Sequence, residues 1–144
     1  MSDRWDATER LRQLGLLLDE LAERPSHSVI LVEGRRDVGG LNLLGVHGEM
    51  IQVQSRDGVL HVAEQLAREG KEAIILTDWD RKGGQLSRLL KHYLACSGVP
   101  FDEEKRVRMA RIVKGEIKDV ESLPSYFSRL VREAGVTGPE GFRG

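Results

Sequence analysis

The stretch Ala73–Gly84, AIILTDWDRKGG, constrains the fold more than any other part of the chain. Four apolar residues, Ala73 to Leu76, lead almost directly into a pair of aspartates, Asp78 and Asp80. A short apolar run with glycines on both sides is typical of a buried strand. The two carboxylates therefore follow the end of a strand, at the edge where open parallel sheets bind ligands.

The spacing of the two aspartates favours a metal site. Side chains at positions i and i+2 of an extended chain point to the same face, so Asp78 and Asp80 can converge on one point. A divalent cation relieves the repulsion between them, and oxygen-only ligands suit Mg²⁺, with Mn²⁺ as a substitute. An Asp-x-Asp pair is also common in surface turns, so the pair alone does not decide between the two interpretations.

A second apolar run has the same design. Val29–Val32 ends in Glu33, and Gly34 follows. Two strands that both end in carboxylates are harder to obtain by chance than one, and we expect Glu33 to join the metal site. Asp37 comes one helical turn later. It is either an additional acidic ligand or the cap of a helix that runs to about Leu44.

Basic residues follow both acidic motifs. Arg35 and Arg36 come after Glu33 and Gly34, while Arg81 and Lys82 directly follow the aspartate pair. Because Arg and Lys bind phosphate oxygens, we expect these four residues to contact a phosphate backbone. Residues 81 to 114 contain nine Lys or Arg against three acids, which is compatible with a basic face beside the site. Solvated helix faces without a partner would have the same composition.

The two strings SVILVEGRRD and ILTDWDRKG together resemble the Toprim domain of topoisomerases, primases, OLD-type nucleases and ribosomal-RNA-maturing ribonucleases. The resemblance covers about half the chain, from Ser28 to Gly98, and is strongest to the small stand-alone Toprim proteins of archaea. It implies a Rossmann-like, three-layer α/β sandwich with a small, mainly parallel sheet between helices. It also implies that Asp78 and Asp80 hold Mg²⁺, and that Glu33 is a general acid/base or a further metal ligand.

The function implied by this resemblance is Mg²⁺-dependent chemistry on nucleic-acid phosphodiester bonds, of the nuclease or nucleotidyl-transfer type. The sequence leaves open whether the target is RNA or DNA, and whether the protein works within a larger assembly. A non-catalytic module that binds nucleic acid or protein through the same acidic site is an alternative. A small-molecule phosphatase is a third, but it would require Thr where the chain has Lys82.

Composition bounds the broad class. The 144 residues suffice for one domain, and 40% hydrophobic with 31% charged residues is typical of a soluble globular protein. The sequence has neither a signal-peptide pattern nor an apolar run of about 18 residues, which predicts a cytoplasmic protein without a membrane span. The single cysteine, Cys96, is expected to be a small buried residue of a helix.

Hydrophobic periodicity predicts an alternation of helices and strands, and thus a parallel sheet with helices on both faces. We divide the chain into an N-terminal packing helix (1–25), a Toprim core (26–100), C-terminal helices of the same domain (101–135) and a flexible tail (136–144). Further predicted elements are a strand at Met50–Val53, a helix opened by Ser55 or Asp57, and helices at Gln85–Cys96 and Leu123–Glu133. Lys105–Val113 is predicted as a helix, with a fourth strand at Val107–Met109 as the alternative.

Overall fold

A computed structural model describes residues 5–54 and 56–135, apart from the side chains of residues 56 and 57. The strands are β1 (Ser28–Val32), β2 (Met50–Gln52), β3 (Glu72–Ile75) and β4 (Phe101–Asp102). The helices are α1 (Ala7–Ala22), α2 (Arg35–Leu43), α3 (Arg56–Glu69), α4 (Arg81–Cys96), α5 (Glu104–Ile112) and α6 (Leu123–Glu133), with a 3₁₀ turn at Val120–Ser122.

The four strands form one parallel sheet in the order β2-β1-β3-β4. Strand β1 is buried along its whole length, as expected for a central strand covered by helices on both faces. One core joins the sheet to α1, α2, α5 and α6, and the other joins it to α3 and α4. The expected three-layer α/β sandwich is confirmed. In the described part of the chain, no helix has the length and apolar character needed to cross a membrane.

One predicted boundary and one alternative were wrong, and local hydrogen bonds explain both; the preferred prediction of a helix at Lys105–Val113 is confirmed by α5. Helix α4 begins at Arg81 rather than Gln85, because Asp80 caps it: its carboxylate accepts the Gly83 N–H at 2.7 Å. The fourth strand is the two-residue β4, not Val107–Met109. The segment after it is helix α5, and the Asp102 carboxylate accepts the Lys105 N–H at 3.1 Å where this helix starts.

Cys96 is exposed, so the expectation of a buried cysteine was wrong. It is the last residue of α4, and its Sγ lies 3.8 Å from Nε2 of His92 one turn earlier. Ser55, one of the two residues predicted to open α3, and the predicted tail at 136–144 lie outside the described residues.

Candidate functional site

A cleft of about 670 Å³ opens at the carboxyl ends of the parallel strands. It lies beside the ends of β1 and β3, where the chain order of the sheet reverses direction. Open α/β sheets bind ligands at this kind of switch point. The residues that line the cleft are Glu33, Gly34, Arg35, Arg36, Asp37, Gln54, Asp78, Lys82 and Glu121. Six of the eight residues predicted from the sequence as site residues are therefore around one cleft.

Glu33 and Asp78 come from neighbouring strands and are directly linked. The Glu33 carboxylate accepts the main-chain N–H of Asp78 at 2.9 Å through Oε2. Burial raises the pKa of Glu33 above its ordinary value, and the charges of Asp80 and Asp37 act in the same direction. The hydrogen bond from Asp78 and the charge of Lys82 oppose this rise. The carboxyl ends of β1 and β3 thus bring together the two acids that the sequence placed 45 positions apart.

The side chain of Asp78 is hydrogen-bonded by a residue 42 positions later in the sequence. Its Oδ1 accepts the main-chain N–H of Val120 at 3.0 Å. Burial raises the pKa of Asp78 to about 7, and the negative charges of Asp37, Glu33 and Asp119 add to that effect. In the absence of a cation, this carboxyl group therefore retains a proton far more readily than an exposed aspartate does.

Asp80 has a different role from its partner in the Asp-x-Asp pair. It is exposed, it caps α4, and it is not among the residues that line the cleft. The turn from Asp78 to Gly83 is very tight, because a Cβ on Gly83 would lie 1.8 Å from the carbonyl oxygen of Asp78. The Thr77 hydroxyl also donates a hydrogen bond to the Gly83 carbonyl at 2.8 Å, which fixes the turn from the inside.

Asp37 combines both of the roles that the sequence left open for it. It lines the cleft, but its Oδ2 also accepts the Gly34 N–H at 3.0 Å, as a capping-box residue of α2 does. Asp37 is buried, and burial raises the pKa of its carboxyl group. Its cap function is thus visible in the structure, while metal ligation by Asp37 stays a prediction.

The basic residues divide into two groups. Arg35, Arg36 and Lys82 line the cleft, and Arg36 approaches Glu121 at 3.8 Å. Arg81 is exposed on α4 outside the cleft lining. Much of the positive charge that the sequence concentrates between residues 81 and 114 is used internally: Lys91, Lys105 and Arg108 form ion pairs, and Arg111 stacks over Trp5.

Several residues that shape the site were not predicted from the sequence. Arg106 donates to the carbonyl oxygens of Thr77 at 3.0 Å and Asp78 at 2.7 Å, and so supports the turn that carries Asp78. Trp79 donates through Nε1 to the Ile117 carbonyl at 2.7 Å. Gln54 and Glu121 line the cleft. Only Gln54 carried a usable signal, since it follows a predicted strand as Glu33 does; the others depend on tertiary contacts.

Comparison with known proteins agrees with this architecture. The Toprim domain family matches residues 28–112. A UPF0292 protein of Methanosarcina barkeri is 38% identical over 136 residues, which are 94% of each chain. A UPF0292 protein of Pyrococcus horikoshii is 39% identical over 122 residues, 85% of this chain and 89% of that one. A solved structure from Aquifex aeolicus superposes with a TM-score of 0.61 at 26% identity, over 76% of this chain and 96% of that chain.

The parallel sheet, its flanking helices and the acidic cleft at the strand ends define a Rossmann-like α/β protein of the Toprim class. The chain belongs to the Toprim domain family, and with it to the UPF0292 proteins of archaea. The resemblance carried by the VEGRRD and TDWDRKG strings is confirmed.

Toprim domains generally bind Mg²⁺ through acidic residues, and the side chains of the cleft fit that ion by their chemistry. Glu33 and Asp78 both line the cleft and offer carboxylate oxygens as metal ligands. The hydrogen bonds described above use only one oxygen of each carboxylate. Mg²⁺ is commonly held by one or two carboxylates and retains several waters. Across residues 5–54 and 56–135, no group of three or more His, Cys, Asp or Glu side chains is spaced as a ready-made metal cage.

Proposed function

We propose that this protein acts on phosphodiester bonds of nucleic acids with Mg²⁺ bound at the cleft. The observation that carries the proposal is the pairing of Glu33 with Asp78 in a cleft whose rim bears Arg35, Arg36 and Lys82. Two acids alone suit a cation, and three basic residues alone suit a phosphate. Their presence on one cleft suits a phosphate bound beside a cation.

The residues of the cleft divide the work as follows. Glu33 and Asp78 would hold the ion, with Asp80 joining if its carboxylate turns away from the α4 cap. The ion would neutralise the charge that develops on phosphate oxygens during cleavage or transfer. Arg35, Arg36 and Lys82 would hold the phosphate against it. Glu33 sits between the strand end and the Asp78 turn, where one carboxylate oxygen can move a proton while the other holds the turn.

A second candidate is a nucleic-acid binding module without turnover. It is favoured by the hydrogen bonds that use the site acids as structural groups: Glu33 supports the Asp78 turn, Asp78 binds Val120, and Asp80 caps α4. A chain that kept these residues for folding alone would have the same sequence motif. The two candidates differ in turnover, not in binding.

The experiment uses carboxylate-to-carboxamide variants, because each keeps an oxygen that can accept the original hydrogen bond. Asn is as good an N-cap as Asp, so Asp80→Asn removes the charge and leaves the start of α4 intact. The full-length protein is incubated with labelled single-stranded RNA and DNA in Mg²⁺ or Mn²⁺, and binding to the same strands is titrated in parallel. Asp19→Asn, an exposed position on α1, is the matched control.

We expect Asp78→Asn to lose both turnover and the rise in melting temperature that millimolar Mg²⁺ gives the wild type. An equal loss in Asp80→Asn would show that Asp80 leaves the α4 cap to join the ion. Glu33→Gln should keep at least part of that rise and lose turnover by about 10²–10⁴-fold, as expected for a general acid/base. Asp19→Asn should behave as the wild type. Strand binding by the wild type without cleavage in either metal would refute the enzyme and leave the binding module.

A further inference from the structure

The arginines of the described chain fall into two sets. Most are engaged with carboxylates, carbonyl oxygens, a tyrosine hydroxyl or an aromatic ring; these are Arg10, Arg12, Arg24, Arg36, Arg106, Arg108, Arg111 and Arg129. Among described side chains, an exposed set forms no hydrogen bond, ion pair or aromatic contact: Arg35, Arg68, Arg81, Arg88 and Arg132. Arg81 and Arg88 both lie on α4, the helix that starts at the candidate site.

Helix α4 has an unusual charge distribution for a surface helix. Its sixteen residues, RKGGQLSRLLKHYLAC, include four basic residues and no acid. Arg81, Gln85, Arg88 and His92 recur at helical spacing, and all four are exposed. The acids that approach α4 from the next segment are already used, since Glu103 binds both Ser87 and Lys91. The exposed face of α4 therefore carries positive charge that no described acid compensates.

A second guanidinium group reaches this face from the opposite layer of the sandwich. Arg106 belongs to α5, yet a Cβ placed on Gly84 would lie 3.8 Å from Nη2 of Arg106 and 3.8 Å from Nη1 of Arg88. The two cations thus come within van der Waals reach of the same point above Gly84. The bonds from Arg106 to Thr77 and Asp78 use two of its five N–H groups, so others remain for a ligand.

We propose that Arg88 and Arg106 form a second phosphate subsite above Gly84, outside the cleft, and that it binds the backbone of the nucleic-acid strand whose scissile phosphate occupies the cleft. This proposal rests on the proposed function for the identity of the ligand. Two guanidinium groups that reach the same point suit an anion with oxygens on several sides, as a phosphodiester has. The charges of Glu103, Glu33, Asp78 and Asp80 act on Arg106, whereas Arg88 forms no ion pair with a described acid.

The position of the subsite favours a strand over a free phosphate. Helix α4 begins beside the cleft at Arg81, and Arg88 lies two turns further along the same exposed face, about 10 Å along the axis. An extended backbone that leaves the cleft past Arg81 would reach Arg88 next. A free phosphate ion would be too small to contact both places at once.

The test is a binding titration that does not depend on metal or on turnover. Fluorescence anisotropy of labelled single-stranded RNA and DNA is measured in EDTA from about 50 to 300 mM salt, with inorganic phosphate as a competitor. Arg88→Gln removes the charge and Arg88→Lys retains it. Arg132→Gln is the matched control, since Arg132 is also an exposed helical arginine without a described partner, on α6.

We expect Arg88→Gln to weaken strand binding about three- to tenfold at the lowest salt and to reduce the slope of log K against log salt by about 0.7, as one lost phosphate contact does on a single strand. Arg88→Lys should keep most of the slope, because the slope counts charges rather than bidentate bonds. Arg132→Gln should match the wild type. The melting temperature and its Mg²⁺ response should be unchanged in all three variants, which excludes a folding defect.

The results separate this proposal from the proposed function. Equal affinities and slopes for Arg88→Gln and Arg132→Gln, or displacement of the strand by inorganic phosphate at the strand's own concentration, would overturn the subsite. Turnover by the wild type would still support the enzyme in that case. Loss of binding in Arg88→Gln, with no turnover by the wild type in Mg²⁺ or Mn²⁺, would support the subsite and reject the enzyme.

Discussion

Replacing Gly83 by alanine tests the turn on which the whole site depends. A Cβ at this position would lie 1.8 Å from the Asp78 carbonyl oxygen, whereas ordinary contacts begin near 3.4 Å. The two must move apart by about 1.6 Å, and the atom in the way is backbone rather than a flexible side chain. Gly83 does not have a positive φ, so the constraint is steric and not conformational. The clash should therefore be the dominant effect of the substitution.

The expected change in the free energy of unfolding for Gly83→Ala combines three effects, two destabilising and one stabilising. Forcing an atom into a packed turn costs about 1–3 kcal/mol or more. Disturbing the Asp80 cap, which binds the Gly83 N–H, costs up to about 1 kcal/mol. Alanine returns up to about 1 kcal/mol of helix propensity. We expect a net loss of about 1–3 kcal/mol, which corresponds to roughly 3–10 °C in melting temperature for a chain of this size.

Gly84→Ala is a closely matched control. It makes the same chemical change one residue later in the same helix, where a Cβ finds nothing nearer than 3.8 Å. It should leave the melting temperature unchanged or raise it slightly. The assay is thermal unfolding with and without Mg²⁺, and Gly83→Ala should also lose most of its Mg²⁺ response because Asp78 is displaced. Similar melting temperatures for the two variants would refute the tight turn.

Two further predictions concern the charge and the anchoring of the Asp78 turn. The pKa of Asp78 is about 7 in the folded chain against an ordinary 3.8, so the folded state binds the proton more tightly, and this group's contribution to stability is lost as pH rises from about 4 to 7. In EDTA, the melting temperature of Asp78→Asn should therefore rise relative to that of the wild type as pH increases through this range. A difference in melting temperature that stays constant with pH would contradict the prediction. Trp79→Phe removes the donor to the Ile117 carbonyl and should cost about 1 kcal/mol, or roughly 3 °C, in thermal unfolding, with no change expected if that bond is absent in solution.

The central strands and their acids were predictable because each rests on local sequence. After their first residue, β1 and β3 are uninterrupted apolar runs, and the acids follow within three residues of the strand ends, so parallel pairing alone brings Glu33 near Asp78. The two-residue β4 was not predictable, because so short an edge strand has no periodicity. The early start of α4 was not predicted because Gly83 and Gly84 have low helix propensity. Gly83 lies in the helix nonetheless, because a Cβ there would clash with the Asp78 carbonyl oxygen.

The part of the site that no motif predicts is its closure by the C-terminal segment. The family match ends at residue 112, yet the carbonyl oxygens of Ile117 and Lys118 accept hydrogen bonds from Trp79, and the Val120 N–H donates to the Asp78 carboxylate. The 3₁₀ turn that contains Val120 packs directly on α2, where a Cβ on Gly40 would lie 3.4 Å from the Val120 carbonyl oxygen. Helix α2 begins just after Glu33, so the 3₁₀ turn contacts both the helix that follows Glu33 and the carboxylate of Asp78.

An ion that takes both oxygens of Asp78 must compete with the Val120 N–H for one of them. Metal binding by both oxygens of Asp78 would therefore be coupled to the position of residues 117–120.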